Sequence, residues 1–175
     1  MAAARSPALD VVSRSAQERP MHFPANDEPM ILNGFEVDPR LAALMRRPDW
    51  AGEHQSEVWL RRFPVHPLSD RSQVPFVHFF DVSTIFYQNE IMRDPGSKIL
   101  WGQPCDEYPP GDIDLTAGYV IGWVYPTEFY ISVDLRSSVG PRILSEMIGP
   151  KEAIYTAAFS DLEEFVDFYI AQHGI

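Results

Sequence analysis

Residues 118–135 have the sequence GYVIGWVYPTEFYISVDL, and they predict the centre of a β-sheet. Residues 118–124 are rich in β-branched and aromatic side chains, and residues 128–135 alternate with the period of two that is typical of a strand. The apolar set of the second segment is Phe129, Ile131, Val133 and Leu135, and its other set is Tyr130, Ser132 and Asp134. Only the short link Tyr125-Pro126-Thr127 separates the two segments, so we expect the two strands to pair antiparallel.

The sequence that follows extends this pair into a meander and closes it with a helix. A turn over residues 137–140 leads to a predicted strand over residues 142–148. Ser160 and Glu163 form a predicted capping box, and Gly174 lies just past the predicted end of the last helix. The apolar side chains of that helix recur at helical spacing: Leu162, Phe165, Val166, Tyr169 and Ile170.

The upstream half predicts mainly helices. Asp38 and Pro39 open one helix, a second spans about residues 53–62, and a strand over residues 75–80 precedes a helix that Asp81 caps. Residues 98–101 form a short predicted strand. This order predicts an α+β fold: a central antiparallel β-sheet meander with helices packed mainly on one side and a C-terminal helix.

The domain organisation expected from composition is simple. Residues 27–175 form a single α+β domain, because they carry the periodic apolar side chains. Residues 1–26 are rich in Ala, Ser, Arg and Pro without a sustained apolar period, which predicts a disordered or weakly ordered N-terminal lead.

The charge of the chain is strongly negative. Twenty-five acidic residues stand against 14 Lys and Arg, and the formal net charge is −11. Residues 100–175 hold three basic residues and twelve acids, so most of the surplus lies in the last 76 residues. Such a charge disfavours nucleic acid as a partner. The negative charge either keeps the protein soluble or, as the alternative, attracts a basic protein partner by electrostatic steering.

The sequence also predicts a compartment. A single cysteine, Cys105, excludes an internal disulfide, and no apolar run approaches the roughly 18 to 20 residues of a membrane helix. Charged residues and a proline interrupt the N-terminal segment where a secretory signal needs an apolar core. We therefore expect a soluble, cytoplasmic protein with no membrane partner, and the oligomeric state stays open.

The histidines do not predict a metal site. His54 and Glu57 are three residues apart in the predicted second helix, and a solvent-exposed helix face explains this pair better than a metal. His78 lies inside an aromatic strand, where a core or edge histidine is expected.

Nucleophilic and cofactor chemistry is not indicated either. Asp106 and Glu107 follow Cys105 and disfavour its thiolate. The chain has no nucleophile elbow, phosphate loop or dinucleotide fingerprint. Asp112 and Asp114 flank one residue but lack the further ligands of a cation site. The sequence thus predicts no catalytic, cofactor or metal residue, and a small hydrolase using His78 or Cys105 is kept as a third hypothesis.

Several short segments resemble motifs of the SUKH superfamily. They are Gly111-Asp112-Ile113-Asp114, Val120-Ile121-Gly122-Trp123, Glu128 to Ile131, Ser132-Val133-Asp134-Leu135-Arg136, and the helical segment Phe159-Ser160-Asp161-Leu162-Glu163-Glu164-Phe165-Val166. The likeness covers about residues 75–172, and the predicted helix over residues 82–92 fits the order of elements in the family.

The resemblance implies an α+β fold and a binding function without catalysis. Many bacterial members are immunity proteins that block one cognate toxin, often a nuclease or a deaminase, whereas fungal relatives are regulatory scaffolds in cell-wall signalling. We therefore expect an immunity protein that binds and neutralises a cognate, basic polymorphic toxin domain. The alternative is a regulatory scaffold that binds several partners without inhibiting an enzyme.

The predicted partner-binding residues combine acids with amphipathic aromatic side chains. Aromatic residues of this type are enriched at interface hot spots, and acids suit a basic partner. The predicted set is Asp112, Asp114, Trp123, Tyr125, Glu128, Tyr130 and Asp134. The structural alternatives are that Trp123 fills the core and that Asp134 bonds to turn amides.

Overall fold

The computed structural model of the protein describes residues 28–63, 74–93, 113–126, 129–148 and 153–175. The predicted lead over residues 1–26, the predicted strand over residues 98–101 and Cys105 lie outside the described residues.

Two antiparallel sheets organise the described part of the chain. A small hairpin joins β1 (Ile31–Leu32) to β2 (Phe35–Glu36). The larger, curled sheet has the strand order β3-β4-β5-β6-β7-β8, and each neighbouring pair is antiparallel. Its strands are β3 (Glu53–His54), β4 (Phe76–Phe79), β5 (Gly118–Tyr125), β6 (Phe129–Asp134), β7 (Arg142–Ile148) and β8 (Ala153–Phe159).

Four helices accompany the sheets in the described residues. They are α1 (Pro39–Met45), α2 (Glu57–Arg62), α3 (Val82–Arg93) and α4 (Leu162–His173). The two longest have 12 residues each, and within the described ranges none is long and apolar enough to cross a bilayer.

The predicted α+β class and the meander are confirmed, because β5, β6 and β7 are successive neighbours in the sheet. Several elements differ from the prediction, and the β1–β2 hairpin is one that was not predicted. Residues 53 and 54 form a strand, because Glu53 and His54 pair with His78 and Val77 of β4, and α2 therefore begins at Glu57. The sheet also continues into β8, which the sequence analysis did not predict.

The helix starts follow local capping signals. The carboxylate of Asp38 accepts hydrogen bonds from the first backbone amides of α1, and that of Asp81 accepts one from Thr84 in α3. The cap of α4 lies one residue later than predicted: Asp161 accepts from the backbone N–H of Glu164 at 2.7 Å. An Asp at this position satisfies one of the unpaired amides of the first turn.

An aromatic core joins α2 and α4 to one face of the sheet. Phe79 of β4 contacts Trp59 of α2 and both Phe165 and Tyr169 of α4. Trp50 packs 4.7 Å from the Phe79 ring, and its Nε1 donates to the carbonyl oxygen of Phe80 at 2.8 Å. The core is thus aromatic and still pairs its buried indole N–H.

A β-bulge in β5 decides which way its later side chains point. Val120 lies opposite Ser132, but Gly122 lies opposite Ile131, so Ile121 is one extra residue on β5. Because side chains alternate, one extra residue reverses the facing of everything that follows. Trp123 therefore shares a face with Tyr130.

Gly122 permits this geometry. A Cβ at Gly122 would lie only 2.4 Å from the carbonyl oxygen of His78. No real Cβ atom tolerates that contact, so glycine is required where β4 and β5 approach each other here.

The bulge is secured by a buried side-chain amide. Asn89 of α3 is 2% exposed. Its Nδ2 donates to the carbonyl oxygens of Val120 and Ile85, both at 2.8 Å. Its Oδ1 accepts from the backbone N–H of Val120 at 2.9 Å and from Nδ2 of Asn33 at 3.1 Å. Each donor and acceptor position of this amide is therefore used.

Asn33 connects the small hairpin to the same network. It occupies the first turn position between β1 and β2 with φ +54°, and Gly34 follows with φ +88°, the pattern of a type I′ turn. Its Nδ2 also donates to the carbonyl oxygen of Gly118 at 2.8 Å. The hairpin is thus fixed to both α3 and β5.

We expect Asn89→Leu to lower the free energy of unfolding by about 3 kcal/mol, because an N–H and a C=O of Val120 would be left buried and unpaired. Urea denaturation of the variant beside wild type measures this. Glu90→Gln, on the exposed neighbouring position, is the control and should change stability by less than about 0.5 kcal/mol. A loss below about 1 kcal/mol for Asn89→Leu would contradict the role assigned to the amide.

Candidate partner-binding surface

A row of four side chains crosses the sheet on the face opposite the aromatic core. Glu53 pairs with His78, His78 with Trp123, and Trp123 with Tyr130. Residues directly opposite each other in antiparallel strands project from the same face and contact one another. The row therefore places a carboxylate, an imidazole, an indole and a phenol side by side.

A stacked pair of rings continues this surface. Phe76 lies opposite Tyr125, with ring centroids 4.5 Å apart and ring planes 12° from parallel. The ring centroid of His78 lies 6.5 Å from that of Phe76 and 6.1 Å from that of Trp123. We call the half-buried set Phe76, His78, Trp123, Tyr125 and Tyr130 the aromatic face.

The electrostatics of the aromatic face favour a neutral ring at its centre. Burial lowers the pKa of His78, and the nearby carboxylates of Glu53 and Asp81 act in the opposite direction with less effect. His78 is therefore uncharged at neutral pH, and the charge on the row comes from the exposed Glu53.

The structure brings three of the predicted partner-binding residues together. Trp123, Tyr125 and Tyr130 all belong to the aromatic face, and Trp123 packs against Phe80 at 5.4 Å while staying half-exposed. Asp112 and Glu128 lie outside the described residues.

Asp114 is occupied by its own loop. Its Oδ1 accepts from the backbone N–H of Thr116 at 2.9 Å and from the hydroxyl of Thr116 at 2.6 Å. This is an Asx-type turn that leads into β5, and the side chain is half-buried there.

Asp134 is a buried ion-pair centre. It is 3% exposed, and its two oxygens accept from Nε of Arg136 at 2.6 Å and from Nε of Arg142 at 2.8 Å. Oδ1 also accepts from the backbone N–H of Arg136 at 3.3 Å, as the turn-amide alternative expects. Its carboxylate is thus already paired within the chain and holds the ends of β6 and β7 together.

Sequence reasoning did not include Phe76, His78 and Glu53 in this surface. The alternation of residues 76–80 contained a signal, since Phe76 and His78 share one face and Val77 and Phe79 the other. The partnership with Trp123 could not be found in the same way, because simple alternation without the bulge would have turned Trp123 to the opposite face.

A separate, acidic surface lies at the start of α4. Glu163 and Asp167 both pair with Arg40 of α1, and Glu164 pairs with Arg62 of α2 at 3.0 Å. A groove of about 480 Å³ lies beside these groups, lined also by Val139, which is 84% exposed. Arginines of the chain itself thus occupy much of this acidic surface.

His54 lies in the core, whereas the sequence suggested a solvent-exposed helix face. It is 8% exposed, and its ring lies 4.7 Å from Trp59 and 5.2 Å from His173. Burial, followed by the neighbouring His173 and His78, lowers the pKa of His54 to about 4. Across the described ranges, no three His, Cys, Asp or Glu side chains are arranged to hold a metal ion.

Comparison of the chain with protein-family models, with curated proteins and with solved structures gives no match. The likeness to the SUKH superfamily therefore stays a prediction from the motifs quoted above.

We expect His54 to make the protein acid-sensitive. Its folded-state pKa of about 4 lies below the ordinary 6.5, so the unfolded chain binds a proton first as the pH falls. Protonation of His54 in the unfolded chain should therefore lower the free energy of unfolding by about 3 kcal/mol between pH 6.5 and pH 4. His54→Phe should show a correspondingly smaller decrease in urea unfolding between pH 7 and pH 4.5.

His78→Phe is the matched control for this effect, since His78 is only half-buried and should change the pH dependence less. An identical pH dependence in wild type and His54→Phe would show that His54 does not carry the effect.

Proposed function

We propose that this chain is an immunity protein that binds and neutralises a cognate, basic polymorphic toxin domain of the nuclease or deaminase class. The observation that carries the proposal is the half-exposed aromatic face, presented by a chain with a net charge of −11. Aromatic anchors supply contact area at interface centres, and acidic charge complements a basic partner.

The two features support different parts of binding. A long-range negative field accelerates the encounter with a basic domain and is weakened by salt. Desolvated aromatic contacts mainly slow dissociation. A protein that must capture a toxin before it reaches its substrate benefits from both.

The motif positions support the same assignment. Residues 132–136 form the end of β6 and the two residues after it, and residues 159–166 join the end of β8 to the start of α4. A strand end and a late helix are expected at these positions from the SUKH resemblance. In this proposal the protein acts stoichiometrically in the cytoplasm and has no catalytic activity of its own.

The test examines the gene next to this one, which the proposal expects to encode a basic toxin domain, and co-expresses the two proteins; a neighbour that encodes no such domain would contradict the proposal. We expect a 1:1 complex with a dissociation constant of about 10 nM or less and complete loss of toxin activity at equimolar protein. Raising NaCl from about 50 to 500 mM should slow association at least about tenfold and change dissociation little. A toxin of the same class from an unrelated gene pair is the control and should stay active.

A neighbouring toxin that remains active in excess protein would contradict the proposal. Recovery of several unrelated partners with micromolar affinity, and inhibition of none, would instead support the regulatory scaffold.

A further inference from the structure

Arg62 shows how this chain holds a guanidinium group. Its Cζ lies 4.8 Å from the ring centroid of Phe159 and 5.8 Å from that of Phe168. One of its nitrogens lies 3.0 Å from a carboxylate oxygen of Glu164. The two aromatic rings therefore hold the guanidinium by cation–π contact, and the carboxylate holds it by ion pairing.

The aromatic face offers the same combination on its half-exposed side. Trp123 and Tyr125 present aromatic rings, and Glu53 ends the cross-strand row that contains Trp123. Glu53 and Trp123 are separated by one intervening strand, about 10 Å across the sheet. A guanidinium stacked on the Trp123 ring can direct its edge across His78 towards this carboxylate.

The centre of the row does not oppose a cation. His78 lies between Glu53 and Trp123, and burial keeps it neutral at pH 7. Among the described residues, Arg62 stacks on Phe159 and Phe168, and no arginine is placed over Trp123 or Tyr125.

We propose that Trp123, Tyr125 and Glu53 form a docking site for an arginine side chain of a basic protein partner. The inference rests on the proposed function and deepens it by naming the chemistry of the contact. Arginine fits better than lysine because its planar guanidinium stacks on aromatic rings while its edge pairs with a carboxylate. A single-stranded nucleic acid could also stack on such rings, but the net charge of −11 repels its phosphates.

The test uses defined probes and the full chain. Three 12-residue Gly/Ser peptides carry four arginines, four lysines or four citrullines at the same positions, and NMR titration follows the indole N–H signals. We expect the arginine peptide to bind at least about threefold more tightly than the lysine peptide and the citrulline peptide to bind weakest. The shifting indole signal should be the one that Trp123→Leu removes.

The variants separate the docking site from general attraction to a negative protein. Trp123→Leu should abolish the preference for arginine over lysine, and Glu53→Gln should weaken arginine binding about two- to fivefold without loss of the fold. Glu163→Gln is the matched control: it removes the same charge from an exposed Glu on α4, which packs on the other face of the sheet, and should leave the arginine preference intact.

Equal affinity for arginine and lysine peptides, an arginine preference that survives Trp123→Leu, or its loss in Glu163→Gln would each overturn the inference. Binding of oligo(dT) to the aromatic face with higher affinity than the arginine peptide would overturn it as well. These results concern the contact alone, so inhibition of the neighbouring toxin could still be observed when the docking site is refuted.

Discussion

The buried amide of Asn89 connects α3, β5 and the β1–β2 hairpin through four hydrogen bonds. It pairs with the backbone N–H and C=O of Val120, the residue that precedes the bulge, in a strand that is buried along most of its length. The bulge in turn places Trp123 opposite His78 and Tyr130. The composition of the aromatic face therefore depends on the bulge, which lies directly after the residue that Asn89 holds.

Ion pairs with arginines neutralise part of the negative charge of the chain. Arg40, Arg47, Arg61 and Arg62 each pair with exposed or half-exposed acids, and Arg136 and Arg142 share the buried Asp134. Most arginines in the described part of the chain are thus engaged by acids close to them. The surplus of acids over arginines remains to set the field that an approaching protein encounters.

Local signals were sufficient for the elements that local forces determine. The caps at Asp38 and Asp81, the alternation of β6 and the apolar stripe of α4 all depend on residues within one or two turns. Non-local forces determine most of what was missed, and the exception is the β1–β2 hairpin, whose Asn33-Gly34 turn is a local signal. His54 is strand-like and buried because β4, Trp59 and His173 surround it, and the facing of Trp123 depends on a bulge that no alternation pattern contains.

The hairpin turn also contains a sequence that is prone to slow deamidation. Asn33 precedes Gly34, and in such a pair the unhindered glycine backbone nitrogen can attack the side-chain carbonyl carbon and release ammonia, which leaves a succinimide that water then opens to an aspartate or isoaspartate carboxylate. Nδ2 of Asn33 now donates to the carbonyl oxygen of Gly118 and to Oδ1 of Asn89. In the aspartate product a carboxylate oxygen would take its place and face these two acceptors. Repulsion would replace two hydrogen bonds, so slow deamidation of aged protein would begin to loosen the fold at this turn.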